Sequence, residues 1–206
     1  MINLDEYNLH GYTVIENAMS GDDLKLCRHL GLKLRNWVSD KVGTPCKFGP
    51  TKHWKGVACA GMYESELYDL YTSRYMYKIS SKLLGAEPYL FNDQMVYKLP
   101  EDGFGFAPHY DNQYGPNKNV GVKTINFSII LDDFTDENGA LMVKSQRTLR
   151  WKRIYPKAGD IVAIEGNTYH ASSENKSKHS RGLYACVYSD TPIVLDNFYV
   201  DKFISK

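Results

Sequence analysis

Apolar residues recur at helical spacing only in the first half of the chain. Leu24, Cys27, Leu30, Leu34 and Val38 fall three or four apart, the interval that gathers side chains on one face of a helix. Ser20 precedes them and Asp22 and Asp23 follow it. That places a capping hydroxyl, then two acids, at the positive end of the helix dipole. Gly43 and Pro45 mark the end of this helix. Just upstream, "GYTVIENAMS" predicts a short strand from Tyr12 to Glu16. Downstream, "CKFGPTKHWKGVACAGMYES" reads as a long Gly-containing loop, a length that often carries function. "SELYDLYTSRYMYKISSKLLG" then predicts a helix in two pieces, closed by Gly85 and Pro88.

From Pro88 the pattern changes. "YLFNDQMVYKLP", "KTINFSIILDD", "ALMVKS", "RWKRIYP", "DIVAIE" and "GLYACVYSD" are short and rich in β-branched or aromatic residues. Turn residues separate them, at Gly115-Pro116-Asn117, Glu137-Asn138-Gly139 and Lys157-Ala158-Gly159-Asp160. Helices followed by evenly spaced strands predict a mainly β fold, a sandwich or jelly roll with helices packed outside. The reading is one domain over residues 1–206: a helical part to about 87, a β core over about 88–190 and a tail over 191–206. The final "NFYVDKFISK" has no assigned element.

Composition narrows the partners. A chain of 206 residues, 43% hydrophobic and 24% charged, is an ordinary globular sequence. Its 16 tyrosines lean towards β structure. A formal net charge of +1 gives no reason to expect nucleic acid or an acidic membrane surface. No apolar run is long enough to cross a bilayer, and the first residues lack the apolar core of a signal peptide. Cys27, Cys46, Cys59 and Cys186 are scattered without a C-x-x-C pair, as expected of reduced thiols in a cytoplasmic protein. A small-molecule substrate is the expected partner, and the sequence sets no oligomeric state.

"FAPHYDNQYG" contains His109 and Asp111, one residue apart. Alone, the pair reads more readily as a loop histidine bonded to a nearby acid. His170 follows 61 residues later, just after a strand and a turn. Two histidines and a carboxylate on one side of an ion form the facial triad of non-haem Fe(II) oxygenases, which leaves three adjacent positions open for cosubstrate and O2. Side chains two apart on an extended strand share a face, so His109 and Asp111 are expected to point together. Arg181 lies eleven residues past His170. An arginine inside a barrel is costly unless it meets an anion, and its fork suits a carboxylate; on its own it reads first as a surface arginine in an ion pair. Ser172 could add a hydroxyl to the same carboxylate.

These segments together resemble the phytanoyl-CoA dioxygenase family of Fe(II)/2-oxoglutarate oxygenases. "HGYTVIENAMSGDDLKLCRHL" is similar to the family's opening strand and helix. "MVYKLPEDGFGFAPHYDNQYG" is similar to the segment in which Lys-x-Pro precedes His-x-Asp. "LDDFTDENGALMVKSQRT" and "AGDIVAIEGNTYHASSENKSKHSRGLYACVYSD" resemble the later stretches. The likeness runs over roughly residues 9–190. It implies a double-stranded β-helix (jelly-roll, cupin-like) core, and Fe(II) held by His109, Asp111 and His170. It also implies 2-oxoglutarate anchored by Arg181 and Ser172, with Phe127 beside it and Lys55 as a further basic contact. The implied reaction consumes O2, releases succinate and CO2, and hydroxylates an unactivated C–H bond. Asp111 stands where related halogenases carry a small residue, which favours hydroxylation or a variant such as desaturation.

The chain departs from the family after "ENGALMV", where relatives show a Pro-Gly-Ser-His turn and this sequence reads "KSQRTLR". Substrate identity is therefore open. Lys144, Arg147, Arg150, Lys152, Arg153 and Lys157 crowd that region, as a charged edge strand or as a mouth for an anionic substrate. The loop from Lys47 to Gly61, with His53, Trp54 and Lys55, could act as a lid, and Tyr110, Asn112, Gln113 and Tyr114 are expected where substrate first meets the metal. A zinc hydrolase and a non-catalytic jelly-roll binding module are the competing classes.

Overall fold

A computed structural model describes residues 2–40, 54–101, 105–113 and 121–193. The chain opens with α1 (Leu4–His10), which the hydrophobic pattern does not announce. Seven residues are too few for a clear period, and the ends do the work. Asn3 accepts from the Glu6 amide at 3.0 Å, and Gly11 closes the helix at φ 77°. Strand β1 (Tyr12–Ile15) and α2 (Gly21–Asp40) follow as predicted. The Ser20 hydroxyl accepts from the Asp23 amide at 3.1 Å and donates to its carboxylate at 2.6 Å.

Residues 54–58 correct the reading of a continuous loop. Trp54–Ala58 is a strand, β2, paired with β3 (Tyr89–Lys98). Gly56 interrupts its apolar alternation, so only the partner strand reveals it. A short 3-10 turn (Ala60–Met62), α3 (Ser65–Tyr71) and α4 (Arg74–Leu84) complete the helical part. The break between the last two has a local cause. Thr72 returns its hydroxyl to the Tyr68 carbonyl at 2.8 Å, and Ser73 caps α4 through the Met76 amide at 3.3 Å. Gly85 at φ 72° ends α4 as expected.

The remaining strands are β4 (Phe106–His109), β5 (Thr124–Ile130), β6 (Leu141–Lys144), β7 (Trp151–Ile154), β8 (Ile161–Glu165), β9 (His170–Ser172) and β10 (Arg181–Ser189). They form two antiparallel sheets, ordered β1-β8-β5-β10-β3-β2 and β4-β9-β6-β7. This is the jelly roll, with helices on the outer face of the larger sheet.

Alternation along the strands divides the core into two layers. On β5, Ile125, Phe127 and Ile129 face the helices and pack with Leu30, Leu34, Leu67, Tyr71 and Ile79. Ile130 joins Phe134, Leu141, Val143, Ile154 and Val162 between the sheets. Every residue of β5 is buried, yet "TINFSII" alternates, with polar Thr124, Asn126 and Ser128 on the opposite face from Ile125, Phe127 and Ile129. Burying one such aromatic or aliphatic side chain contributes about 1.5–3 kcal/mol.

Candidate metal centre

The smaller sheet carries the two histidines on neighbouring strands. His109 ends β4, and His170 begins β9 directly opposite it in the register. Their rings lie 4.3 Å apart, centroid to centroid. Asp111 is not on the strand with His109, as its spacing suggested. It opens a 3-10 turn, Asp111–Gln113, immediately beyond β4. The turn still brings the carboxylate back: Oδ1 lies 3.8 Å from Nε2 of His109 and 3.6 Å from Nε2 of His170. One ligand atom from each of the three residues fits within 4.8 Å of the others.

Hydrogen bonding selects which ring nitrogen faces the centre. Nδ1 of His109 donates to the Ala107 carbonyl at 2.7 Å, and Nδ1 of His170 to the Thr168 carbonyl at 3.0 Å. Each imidazole is thereby held with an Nε2 lone pair directed at the gap it shares with Asp111. Burial, then the neighbouring His170, lowers the pKa of His109, which favours the neutral ring a cation needs. Two ligand atoms ~2.1 Å from one ion at a right angle stand about 3 Å apart, so the spacings seen fit an ion after a small contraction.

Asn126, which the sequence pattern did not single out, supports this arrangement. Asn126, on the inward face of β5, donates to Oδ2 of Asp111 at 3.0 Å. The Asn112 side-chain oxygen accepts from the Thr124 hydroxyl at 2.5 Å, and its backbone N–H donates to the Gly166 carbonyl at 3.0 Å. Asn112 thus fastens the turn to the larger sheet instead of standing open to a substrate. Tyr110 packs against Tyr169 in a tilted contact on the surface, with ring centroids 4.6 Å apart. In "INFS" the polar positions Asn126 and Ser128 alternate with Ile125 and Phe127, and that alternation is the signal that could have found Asn126.

Ser172 lies two residues beyond His170 on β9 and is buried. Arg181 opens β10 and is buried too. Its guanidinium donates to the Gly139 carbonyl at 3.1 Å and the Asn138 carbonyl at 3.5 Å, and lies 4.0 Å over the Phe134 ring. Burial lowers its pKa to about 9, so it stays charged at neutral pH. Phe127 is not brought to the site: it lies on the helix-facing side, 5.7 Å from the Tyr188 ring in an edge-on contact. Lys55 pairs with Tyr97 in the β2–β3 register, and its side chain lies outside the described residues. Residues 47–53 of the segment read as a lid lie outside them as well, as do Cys46, Tyr114, the turn at 115–117 and the tail from 194.

The basic segment runs along β7, at the edge of the smaller sheet. Arg153 pairs with Asp136 at 2.9 Å and Lys157 with Asp133 at 3.3 Å, both at exposed positions. That is the behaviour of a charged edge strand. No helix among the described residues is long and apolar enough to cross a membrane.

The model of the phytanoyl-CoA dioxygenase (PhyH) family matches residues 7–146. No curated protein matches the sequence. Among solved structures, the chain is similar to the α-ketoglutarate-dependent epimerase SnoN of nogalamycin biosynthesis, solved with Fe3+, α-ketoglutarate and nogalamycin RO. There the TM-score is 0.77 at 15% identity, covering 92% of this chain and 82% of that one. EctD from S. alaskensis with bound Fe gives a TM-score of 0.77 at 17% identity, covering 90% and 74%. EvdO2 from Micromonospora carbonacea var. aurantiaca, complexed with 2-oxoglutarate, gives 0.76 at 17% identity, covering 98% of both chains. These likenesses establish the jelly-roll fold.

Proposed function

The chain belongs to the phytanoyl-CoA dioxygenase family of Fe(II)- and 2-oxoglutarate-dependent oxygenases, and on that premise we propose that His109, Asp111 and His170 hold the iron of a small-molecule hydroxylase. The observation that carries this reading is the convergence of both Nε2 atoms on Oδ1 of Asp111, with each Nδ1 tied to a backbone carbonyl. Two neutral imidazoles and a carboxylate, without thiolates, suit a divalent ion of intermediate softness, and three ligands leave coordination positions free.

When bound, iron and 2-oxoglutarate supply the oxidation, in which O2 gives one oxygen to succinate and one to the substrate as CO2 leaves. The protein's own part is placement. Asn126 holds the Asp111 carboxylate in one rotamer. Arg181, on β10 of the larger sheet, and Ser172, on the same strand as His170, present a charge and a hydroxyl for the far carboxylate of the cosubstrate. The apolar layer around Ile130, Leu141 and Val143 keeps bulk water from that carboxylate. Asp111, as a charged third ligand, would fill the position a halide needs, which favours hydroxylation of a C–H bond or a variant such as desaturation. A zinc hydrolase would leave buried Arg181 without an anion to meet.

Anaerobic addition of Fe(II) and 2-oxoglutarate should produce a weak visible charge-transfer band, absent in His109→Ala and Asp111→Ala. A screen of metabolite pools for substrate-stimulated succinate release would then identify the substrate class. Absence of both the band and O2-dependent succinate with iron would overturn the reading.

A further inference from the structure

Lys98 is the last residue of β3, Arg181 is the first of β10, and the two are register partners. Facing residues of an antiparallel ladder share a face, with Cβ atoms roughly 5 Å apart. That face is the interior of the jelly roll, because Leu183 of the next facing pair packs into the layer between the sheets. The structure thus places two cationic side chains next to each other inside the protein, with relative exposures of 0% and 2%.

Neither has an acidic partner among the described residues. The Lys98 ammonium donates to the Ser173 carbonyl and lies 5.3 Å from the Phe106 ring centroid. Arg181 meets the Asn138 and Gly139 carbonyls and the Phe134 ring. The nearby acids are committed elsewhere: Asp132 accepts from the Gly182 amide at 2.8 Å, and Glu174 pairs with Lys176 at 3.4 Å. Carbonyl dipoles and ring faces orient a cation but do not neutralise it, and two unneutralised buried cations are costly in a folded protein. Burial and the adjacent Arg181 pull the Lys98 pKa down to about 7, the direction expected of an ammonium lacking a counter-ion.

The pair also borders the metal centre. Ser172, two residues from His170 on the same face of β9, pairs with Phe106, whose ring lies against Lys98. Two residues of strand span ~6.6 Å, comparable to the length of a five-carbon diacid. Gly139 makes the floor of this space. A Cβ there would lie 2.6 Å from the Ser173 carbonyl oxygen and 3.2 Å from Lys98 Nζ.

We propose that Lys98 and Arg181 together form the subsite for the far carboxylate of the cosubstrate, so that a dicarboxylic 2-oxo acid is held by two cations and Lys98 is a binding residue. This rests on the iron and 2-oxoglutarate reading above and adds to it a residue and a selectivity. The far carboxylate of a dicarboxylate gives the two cations a counter-ion to share, whereas a 2-oxo monocarboxylate of equal length leaves both without one.

The test compares 2-oxoglutarate with 2-oxopentanoate, which keeps the metal-chelating end and lacks the far carboxylate. Both are titrated anaerobically into Fe(II)-loaded wild type, Lys98→Met and Lys98→Arg, following the charge-transfer band. Lys98→Met should weaken 2-oxoglutarate at least tenfold and leave 2-oxopentanoate unchanged, and Lys98→Arg should recover most of the loss. Equal weakening of both ligands, or no weakening of 2-oxoglutarate, overturns the proposal by making Lys98 a purely structural residue. Wild type supplies an independent measurement should the variants not fold. Calorimetry at pH 8 in two buffers of different ionisation enthalpy should show proton uptake with 2-oxoglutarate beyond that with 2-oxopentanoate, as Lys98 regains its charge. Equal proton uptake for the two ligands overturns the proposal. If wild type shows no band with either ligand, the metal-centre reading itself has failed, and this proposal falls with it.

Discussion

Asn126 donates its side-chain amide to Oδ2 of Asp111 at 3.0 Å, leaving Oδ1 turned towards both histidines. Ser128, two residues along β5, donates to Oδ1 of Asn126 at 3.4 Å and fixes the amide in turn. The centre is therefore oriented from the larger sheet although its histidines stand on the smaller one. Replacing Asn126 by Ala should lower Fe(II) or Co(II) affinity about 10–100-fold, the usual cost of losing a partner of a metal ligand. Affinity equal to wild type in a direct metal titration would remove Asn126 from that role.

Phe127 stands one residue away and behaves differently because it points the other way. Phe127→Leu should cost about 1 kcal/mol of stability through imperfect repacking against Tyr188 and the helices. It should leave 2-oxoglutarate affinity unchanged. Urea denaturation and an anaerobic titration of the same variant separate the two effects, and a selective loss of cosubstrate binding would place this ring in the pocket after all.

Gly139 has φ 97° and its carbonyl accepts from Arg181. Gly139→Ala combines strain from the left-handed region with the clash against the Ser173 carbonyl. About 1–3 kcal/mol of stability should be lost, with weaker cosubstrate binding as the floor shifts. A variant as stable as wild type by urea denaturation would refute this.

Lys98 gives a pH signature in the ligand-free protein. Its folded pKa, about 7, lies below the usual lysine value. Below pH 7 both folded and unfolded chains carry the charge, and the folded state bears its full desolvation cost. Between about pH 7 and 10 the unfolded chain binds the extra proton, so stability rises with pH. Lys98→Met should therefore melt above wild type at pH 6, with the gap narrowing by pH 9. A gap independent of pH, or a variant less stable at pH 6, would contradict an uncompensated buried ammonium.

Much of this molecule is legible in its sequence, and the reasons are local. The α2 helix shows itself through Leu24, Cys27, Leu30 and Leu34 and through its Ser20 cap, because period and capping are properties of neighbours in the chain. The strands after Pro88 show themselves for the same reason. Strand β2 does not, because Gly56 erases its alternation and its hydrogen bonds belong to β3. The ligand types were also readable, since His109, Asp111 and His170 are chemically distinctive and their order resembles a family pattern.

What the sequence determined by itself was the set of elements with a clear period, the change from helices to strands near residue 88, and three residues able to share an ion. Tertiary structure alone decided which face each side chain takes. The parity of β5 in the two-layered core sends Phe127 to the helices and Asn126 to the carboxylate. The β3–β10 register sets Lys98 beside Arg181, 83 positions apart in the chain. Facing is fixed by pairing between distant strands, and a linear sequence holds that pairing only as the sum of many weak preferences.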